Sequence, residues 1–256
     1  MASRIAVMGA TGYTALELLK LLVRHPEAEI VSLTTRQENR PHVSDVHPEL
    51  RGRLDLHLEK LDLEKLAAEV DVVFSCLPHA ASAESVKPLV DQGVKVVDFS
   101  ADYRLHDRNT YEQWYGTQHV DPERIGKVPY GLPELFREEI RRAELVANPG
   151  CYPTSIQIPL IPLLKQKLIK NNNIICVAPD VGGVERARAL GRKLDVGLAI
   201  IDKRRPAPGK SQVMNVIGNV KGKTCIITDD IIDSGGTIVN AADAVSYTHL
   251  TLPTKA

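Results

Sequence analysis

Short apolar runs alternate along this chain with longer stretches in which apolar residues recur every three or four positions. Residues 4–8 (Arg-Ile-Ala-Val-Met) read as a strand, and residues 14–24 as a helix with Leu16, Leu19 and Val23 on one face beside Leu18, Leu21 and Leu22. Strands are predicted over 29–34, 71–76 and 94–100, and helices over 61–70 and 81–92. Between 102 and 133 the pattern dissolves into aromatic, Pro- and Gly-rich segments, read as a functional excursion from the framework. A strand over 144–147 and a helix over 154–169 follow. Apolar strands alternating with amphipathic helices predict an α/β protein with a Rossmann-type, doubly wound parallel sheet. Further apolar strands are predicted at 173–177 and 223–228.

The length of 256 residues suits one large domain or two of ordinary size. Thirty-two basic residues cancel thirty-two acidic ones, so no global field draws the chain to nucleic acid or to an anionic membrane. No apolar run approaches the roughly 18 residues needed to span a bilayer. The N-terminus passes directly into the first strand without a signal-peptide core. Four unclustered cysteines (Cys76, Cys151, Cys176, Cys225) suit neither a disulfide framework nor a metal site. These features predict a cytoplasmic, reduced, globular α/β protein.

The first chemical signal is Gly9-Ala10-Thr11-Gly12-Tyr13-Thr14-Ala15, which closes a strand and opens a helix. Glycines at 9 and 12 let the backbone approach a pyrophosphate while the helix amides face its charge. A tight turn that binds nothing is the other reading. No acid closes the second strand; Thr34-Thr35-Arg36 stands there, and Arg36 suits the 2′-phosphate of NADP better than the bare ribose of NAD. A solvated loop arginine is the alternative. The second signal is Asn148-Pro149-Gly150-Cys151-Tyr152-Pro153-Thr154. A cysteine in a tight turn before a helix has its sulfur near free amides, which favours a nucleophilic thiolate. A buried structural cysteine is the competing account.

Five segments in order resemble N-acetyl-gamma-glutamyl-phosphate reductase over about 175 residues: Gly9–Tyr13, Ser75-Cys76-Leu77-Pro78-His79, Asp98-Phe99-Ser100-Ala101-Asp102-Tyr103-Arg104-Leu105, Tyr130-Gly131-Leu132-Pro133-Glu134-Leu135 and Asn148–Thr154. The resemblance implies an oxidoreductase of arginine biosynthesis that uses NADPH to reduce an acyl phosphate to an aldehyde through a cysteine thioester. It implies Cys151 as the nucleophile and places Gly9–Gly12 and Leu77, Pro78 and His79 around the cofactor. Ala15 stands where glycine is usual, which the fingerprint tolerates. The family's proton-handling histidine comes from a substrate domain that has no counterpart here, so the reaction is expected to be crippled.

After residue 175 the text changes to Pro179-Asp180-Val181-Gly182-Gly183-Val184, then Ile200-Ile201-Asp202-Lys203-Arg204-Arg205-Pro206, then 225–237. This stretch resembles the C-terminal half of ribose-phosphate pyrophosphokinase, a type I phosphoribosyltransferase fold in nucleotide biosynthesis, and the resemblance implies a small unit in the order strand-helix-strand-strand-helix. Asp229 and Asp230 can bond ribose hydroxyls, and the loop Asp233, Ser234, Gly235, Gly236 and Thr237 offers amides and hydroxyls to a 5-phosphate. A merely polar loop is the alternative. Lys203 and Arg205 match the family's diphosphate-stabilising basic loop, or are simply solvated. ATP and Mg would belong to this half if it were complete.

Residues 245–254 resemble the translation of a transposase-based sequencing adapter and show neither helical nor strand logic. The expected organisation is therefore an NADP-binding domain over 1–150, a truncated substrate-domain start over 151–175, a phosphoribosyltransferase-like fragment over 176–244 and an artefactual tail over 245–256. One strand runs into the other family's strand without a linker, which favours a chimera over a natural fusion. Three functional readings stand: a reductase fragment, a phosphoribosyl diphosphate-forming kinase fragment, or an inactive chimera. Both parent families leave room for a homo-oligomer.

Overall fold

The computed structural model describes residues 2–166, 173–204, 213–229 and 235–247, and the chain divides into two compact units, Met1–Thr154 and Ser155–Ala256. The first unit is built on β1 (Ser3–Met8), β2 (Ala28–Thr35), β3 (Glu59–Lys60), β4 (Val72–Ser75), β5 (Lys95–Asp98) and β6 (Leu145–Ala147). They lie in the order β3-β2-β1-β4-β5-β6, and every pairing is parallel. Alternate residues of β1 feed opposite faces, as the two-residue period of a strand requires. Ile5 and Val7 pack with Leu16, Leu19 and Leu22 of α1 (Tyr13–Leu22). Ala6 and Met8 pack with Val86, Leu89 and Val90 of α4 (Ala81–Asp91).

Several boundaries differ from expectation for local reasons. The helix expected from 61 is α3 (Leu63–Glu69), because Asp62 accepts the Lys65 amide and caps it. Between β2 and β3 lie α2 (Val43–Val46) and a 3-10 turn, Pro48–Leu50, both too short to show a period. The excursion over 102–133 is not irregular throughout. It holds α5 (Arg108–Tyr115), capped by Asp107, which accepts the Thr110 amide at 2.8 Å. Only Tyr111 of that helix is buried, so no apolar stripe marks it. α6 (Pro133–Arg142) follows.

The helix expected over 154–169 is α7 (Cys151–Lys165), so Cys151 is its first residue rather than part of a turn before it. Pro153 permits this, since a first-turn proline forfeits an amide that has no helical partner anyway.

In the second unit, β7 (Ile174–Ala178), α8 (Val184–Leu194), β8 (Gly197–Arg204), β9 (Val213–Ile217), β10 (Thr224–Ile227) and α9 (Gly236–Tyr247) follow in order. The sheet runs β10-β7-β8-β9, parallel except where β9 pairs antiparallel with β8. β9 is one strand more than expected. One face packs Val177, Ala199 and Ile201 against Ala241 and Val245 of α9; the other packs Cys176 and Ala178 against Ala187 of α8. The absence of helical logic expected from residue 245 is corrected here. α9 runs to Tyr247, and Val245, one turn beyond Ala241, is buried in the core. Among the described residues no helix is long and apolar enough to cross a membrane.

Candidate active site

The sheet order reverses at β1, whose neighbours are β2 on one side and β4 on the other. In open parallel sheets that crevice, beyond the carboxyl ends of the strands, is where ligands bind. Here it is a cleft of about 430 Å³ lined by Gly9, Thr11, Gly12, Thr34–Gln37, Leu61 and Cys76–Pro78. Gly9 adopts φ +74°, and a Cβ on it would lie 2.8 Å from the Cys76 carbonyl oxygen. The cradle therefore exists only because the residue is glycine. Gly12 starts α1 in an extended conformation with no side chain capping the helix, which leaves the first-turn amides of Tyr13 and Thr14 for an anion. The Tyr13 ring itself is 89% exposed and does not line the cleft.

Of the expected cofactor residues, Gly9, Thr11, Gly12, Arg36, Leu77 and Pro78 all line this one cleft. Arg36 is exposed at its rim, beyond buried Thr34 and Thr35. Thr35 Oγ1 accepts the Gln37 amide at 3.1 Å and tightens that corner. Cys76 also lines the cleft, but burial, reinforced by the nearby Asp98 carboxylate, pushes its thiol up to about 12.

His79 lies just outside the cleft lining. Its Nδ1 accepts the Ala101 amide at 2.9 Å, so in the neutral ring the proton sits on Nε2, which can only donate. The next residue, Ala80, holds φ +65°, a left-handed conformation that costs a non-glycine residue about 1–2 kcal/mol. It is held there by Asp102, whose fully buried carboxylate accepts from the amides of Ala80 (2.8 Å) and Ala83 (3.0 Å) and from the Tyr111 hydroxyl (2.9 Å). Asp98, equally buried, accepts from the Ser82 and Ser100 hydroxyls, both at 2.6 Å, and from the Ser100 amide. Its carboxyl is raised above the usual range because burial outweighs those bonds. Neither aspartate was expected as a site residue. Both stood within the Asp98–Leu105 segment, and only the fold shows that they anchor the loop carrying Leu77–His79.

The turn over residues 148–150, which leads into Cys151, follows the carboxyl end of β6. Arg104 clamps it: Nε donates to the Asn148 carbonyl and Nη2 to the Phe99 carbonyl, each at 2.7 Å. Gly150 sits against the guanidinium, where a Cβ would meet Nη1 at 3.0 Å. Thr154 donates through both its amide and its hydroxyl to the Gly150 carbonyl. Cys151 is exposed, whereas burial raises the thiols of Cys76, Cys176 (to about 11) and Cys225. Iodoacetamide near neutral pH is therefore expected to modify Cys151 roughly tenfold or more faster than the other three, because only thiolate reacts. Peptide mapping of a time course checks this, and equal labelling of Cys76 would refute it.

In the second unit Asp229, two residues beyond β10, helps line a cavity of about 350 Å³. Gly235, at φ +76°, precedes α9, and Gly236 and Thr237 open it. Asp230, Asp233, Ser234 and Arg205 lie outside the described residues. Lys203 lies in β8, in register with Met214, rather than in a loop as expected.

Comparison with known proteins matches residues 4–143 to the family described as semialdehyde dehydrogenase, NAD binding domain, and residues 160–247 to the phosphoribosyl transferase domain. An N-acetyl-gamma-glutamyl-phosphate reductase of Rhodopirellula baltica is 52% identical over 189 residues, covering 73% of this chain and 55% of that protein. One from Nitrosococcus oceani is 45% identical over 192 residues, covering 75% and 56%. The chain thus spans about half the length of the curated relatives it matches. Among solved structures, the aspartate semialdehyde dehydrogenase of Candida albicans with NADP aligns at 21% identity with a TM-score of 0.48, covering 65% of this chain and 48% of that one.

Proposed function

Because the chain belongs to the semialdehyde dehydrogenase NAD-binding domain family, which covers residues 4–143, we propose that its first unit seats NADPH and presents Cys151 for the reduction of N-acetyl-glutamyl 5-phosphate to the semialdehyde. The observation that carries this reading is the cleft at the β1/β4 crevice, with the glycine cradle at one wall and Arg36 at its rim. Gly9, Gly12 and the first-turn amides of α1 would hold the pyrophosphate, and Arg36 the 2′-phosphate. When bound, the cofactor supplies a hydride.

The rest falls to the chain's own residues. Arg104 and Gly150 fix the chain just before Cys151, the exposed first residue of α7. The sulfur attacks the acyl carbon, the carbon–oxygen bond to phosphate breaks, and phosphate leaves. The resulting thioester carbon accepts the hydride of a bound cofactor; the tetrahedral oxyanion, or its protonated form once that proton is returned, re-forms the carbonyl as the carbon–sulfur bond breaks, releasing the aldehyde and regenerating the Cys151 thiolate. His79 is not a base at Nδ1, since that nitrogen is already an acceptor. A side chain that gives the proton to the tetrahedral oxygen and takes it back is worth about 10²–10⁴-fold in rate. The setting that suits four unpaired thiols is a reducing cytoplasm, and a homo-oligomer fits the parent families.

The test is a fluorescence titration of the full chain. NADPH is expected to bind, and Arg36→Ala to weaken it about 10–100-fold, the worth of a charge-assisted hydrogen bond, with NADH unchanged. Equal losses for both cofactors would remove Arg36 from the assignment. No NADPH binding at all would refute the reading.

A second reading concerns the second unit, supported by the phosphoribosyl transferase match over 160–247 and by Gly235–Thr237 at the start of α9. We propose that this loop retains affinity for a ribose 5-phosphate, with ATP and Mg reserved for a complete enzyme. Ribose 5-phosphate is expected to shift the amide resonances of Gly235 and Gly236 at millimolar concentrations. Unmoved amides would mean the loop holds no phosphate.

A further inference from the structure

One buried side chain outside the residues assigned so far reaches the glycine turn from the protein interior. His47, only 5% exposed, lies between α2 and the 3-10 turn. Its Nε2 is 2.7 Å from the carbonyl oxygen of Ala10, 37 positions earlier in the chain. A carbonyl can only accept, so Nε2 carries the proton and donates it. The histidine is itself held firmly. Its amide donates to the Val43 carbonyl and its carbonyl accepts from Leu50, and both of those side chains are completely buried.

The amide of Ala10 donates to the Thr34 carbonyl at 2.9 Å. Both polar groups of Ala10 are thus committed to the interior. A trans peptide is planar, with its C=O and the following N–H pointing in opposite directions. Holding the Ala10 oxygen towards His47 therefore aims the Thr11 amide away from His47, and Thr11 lines the cleft. With this peptide flipped, an oxygen would face an incoming anion and the His47 donor would be stranded in the core.

We infer that His47 is a positioning residue. It locks the Ala10–Thr11 peptide with its N–H outward, so that Thr11 donates to a dinucleotide pyrophosphate and the repelling, flipped peptide is barred. This rests on the proposal that the cleft seats NADPH.

The experiment titrates the full chain and its variants with NADPH, and with adenosine 2′-monophosphate, which has the 2′-phosphate but no pyrophosphate. His47→Asn, whose amide nitrogen ends short of Ala10, and His47→Leu are expected to weaken NADPH about 10–100-fold and to leave adenosine 2′-monophosphate unchanged. His47→Gln, whose amide nitrogen reaches the Nε2 position, should restore binding to within about threefold. In the unaltered protein, NADPH should shift the Thr11 amide resonance and leave that of Ala10 nearly still.

Full NADPH affinity in His47→Asn, a glutamine variant no better than leucine, or an unmoved Thr11 amide at saturating NADPH would each overturn the inference. Should the variants fail to fold, the amide comparison in the unaltered protein decides alone. Binding of neither nucleotide by the unaltered chain would instead sink the cofactor reading and this inference with it.

Discussion

Gly9→Ala is expected to abolish NADPH binding and to cost the first unit about 2–5 kcal/mol, the sum of left-handed strain and overpacking at a rigid site. Gly9 holds φ +74°, and the added methyl would lie 2.8 Å from the Cys76 oxygen and 3.1 Å from its carbon. Both atoms are backbone at the end of β4, which pairs with β1, so relief means parting two central strands. Gly52→Ala is the control. That residue has nearly the same dihedral, φ +70°, but nothing within 4 Å of the added carbon. It should lose only about 1–2 kcal/mol from strain and keep cofactor affinity. Urea unfolding and NADPH titration of both variants separate the two contributions. Equal losses would mean that contact with Cys76 plays no part.

Asp102→Ala should destabilise the first unit by about 3–9 kcal/mol, since each donor left unsatisfied in the interior costs about 1–3 kcal/mol. The donors are the Ala80 and Ala83 amides and the Tyr111 hydroxyl, all within 3.0 Å of the carboxylate. Against a domain stability of about 5–15 kcal/mol that is a large fraction, and unfolding at ambient temperature is a realistic result. Asp102→Asn keeps the shape but turns an NH₂ towards a group that also donates, so an intermediate loss of about 1–3 kcal/mol is expected. Hydrogen exchange should quicken first at Ala80 and Ala83, where the left-handed turn loses its anchor. An asparagine variant as stable as the parent would show that the carboxylate's second acceptor oxygen contributes nothing.

The framework of the first unit was legible because a parallel sheet buried on both faces leaves unbroken apolar runs, as in Ile5–Met8, and each covering helix must show a stripe such as Leu16 and Leu19. Elements lacking those constraints escaped notice. α5 buries a single residue, and β9 is held by antiparallel pairing with β8 rather than by a continuous core run. The adapter-like stretch carries its own lesson. The local pattern around Val245 carries no helical signal, yet a helix already under way takes up the next apolar residue that falls one turn after Ala241.

Of the candidate site, the residues whose chemistry depends on their own backbone were readable directly. Gly9 and Gly12 are positioned by a turn that adjacent residues specify, Arg36 by the end of a strand and Cys151 by the start of α7. What the linear pattern could not supply was the set of partners that hold those turns in place. His47 meets Ala10 across 37 positions, Arg104 meets Asn148 across 44, and Asp102 meets Ala80 across 22. The polarity of each of these residues is evident in the sequence, but nothing local says which backbone group it will satisfy. Local order determined which turns could form, through glycine dihedrals and strand and helix periods. Burial decided how they are held: once the sheet closes, every interior donor and acceptor must find a partner, and those partners are brought together only by the packed strands.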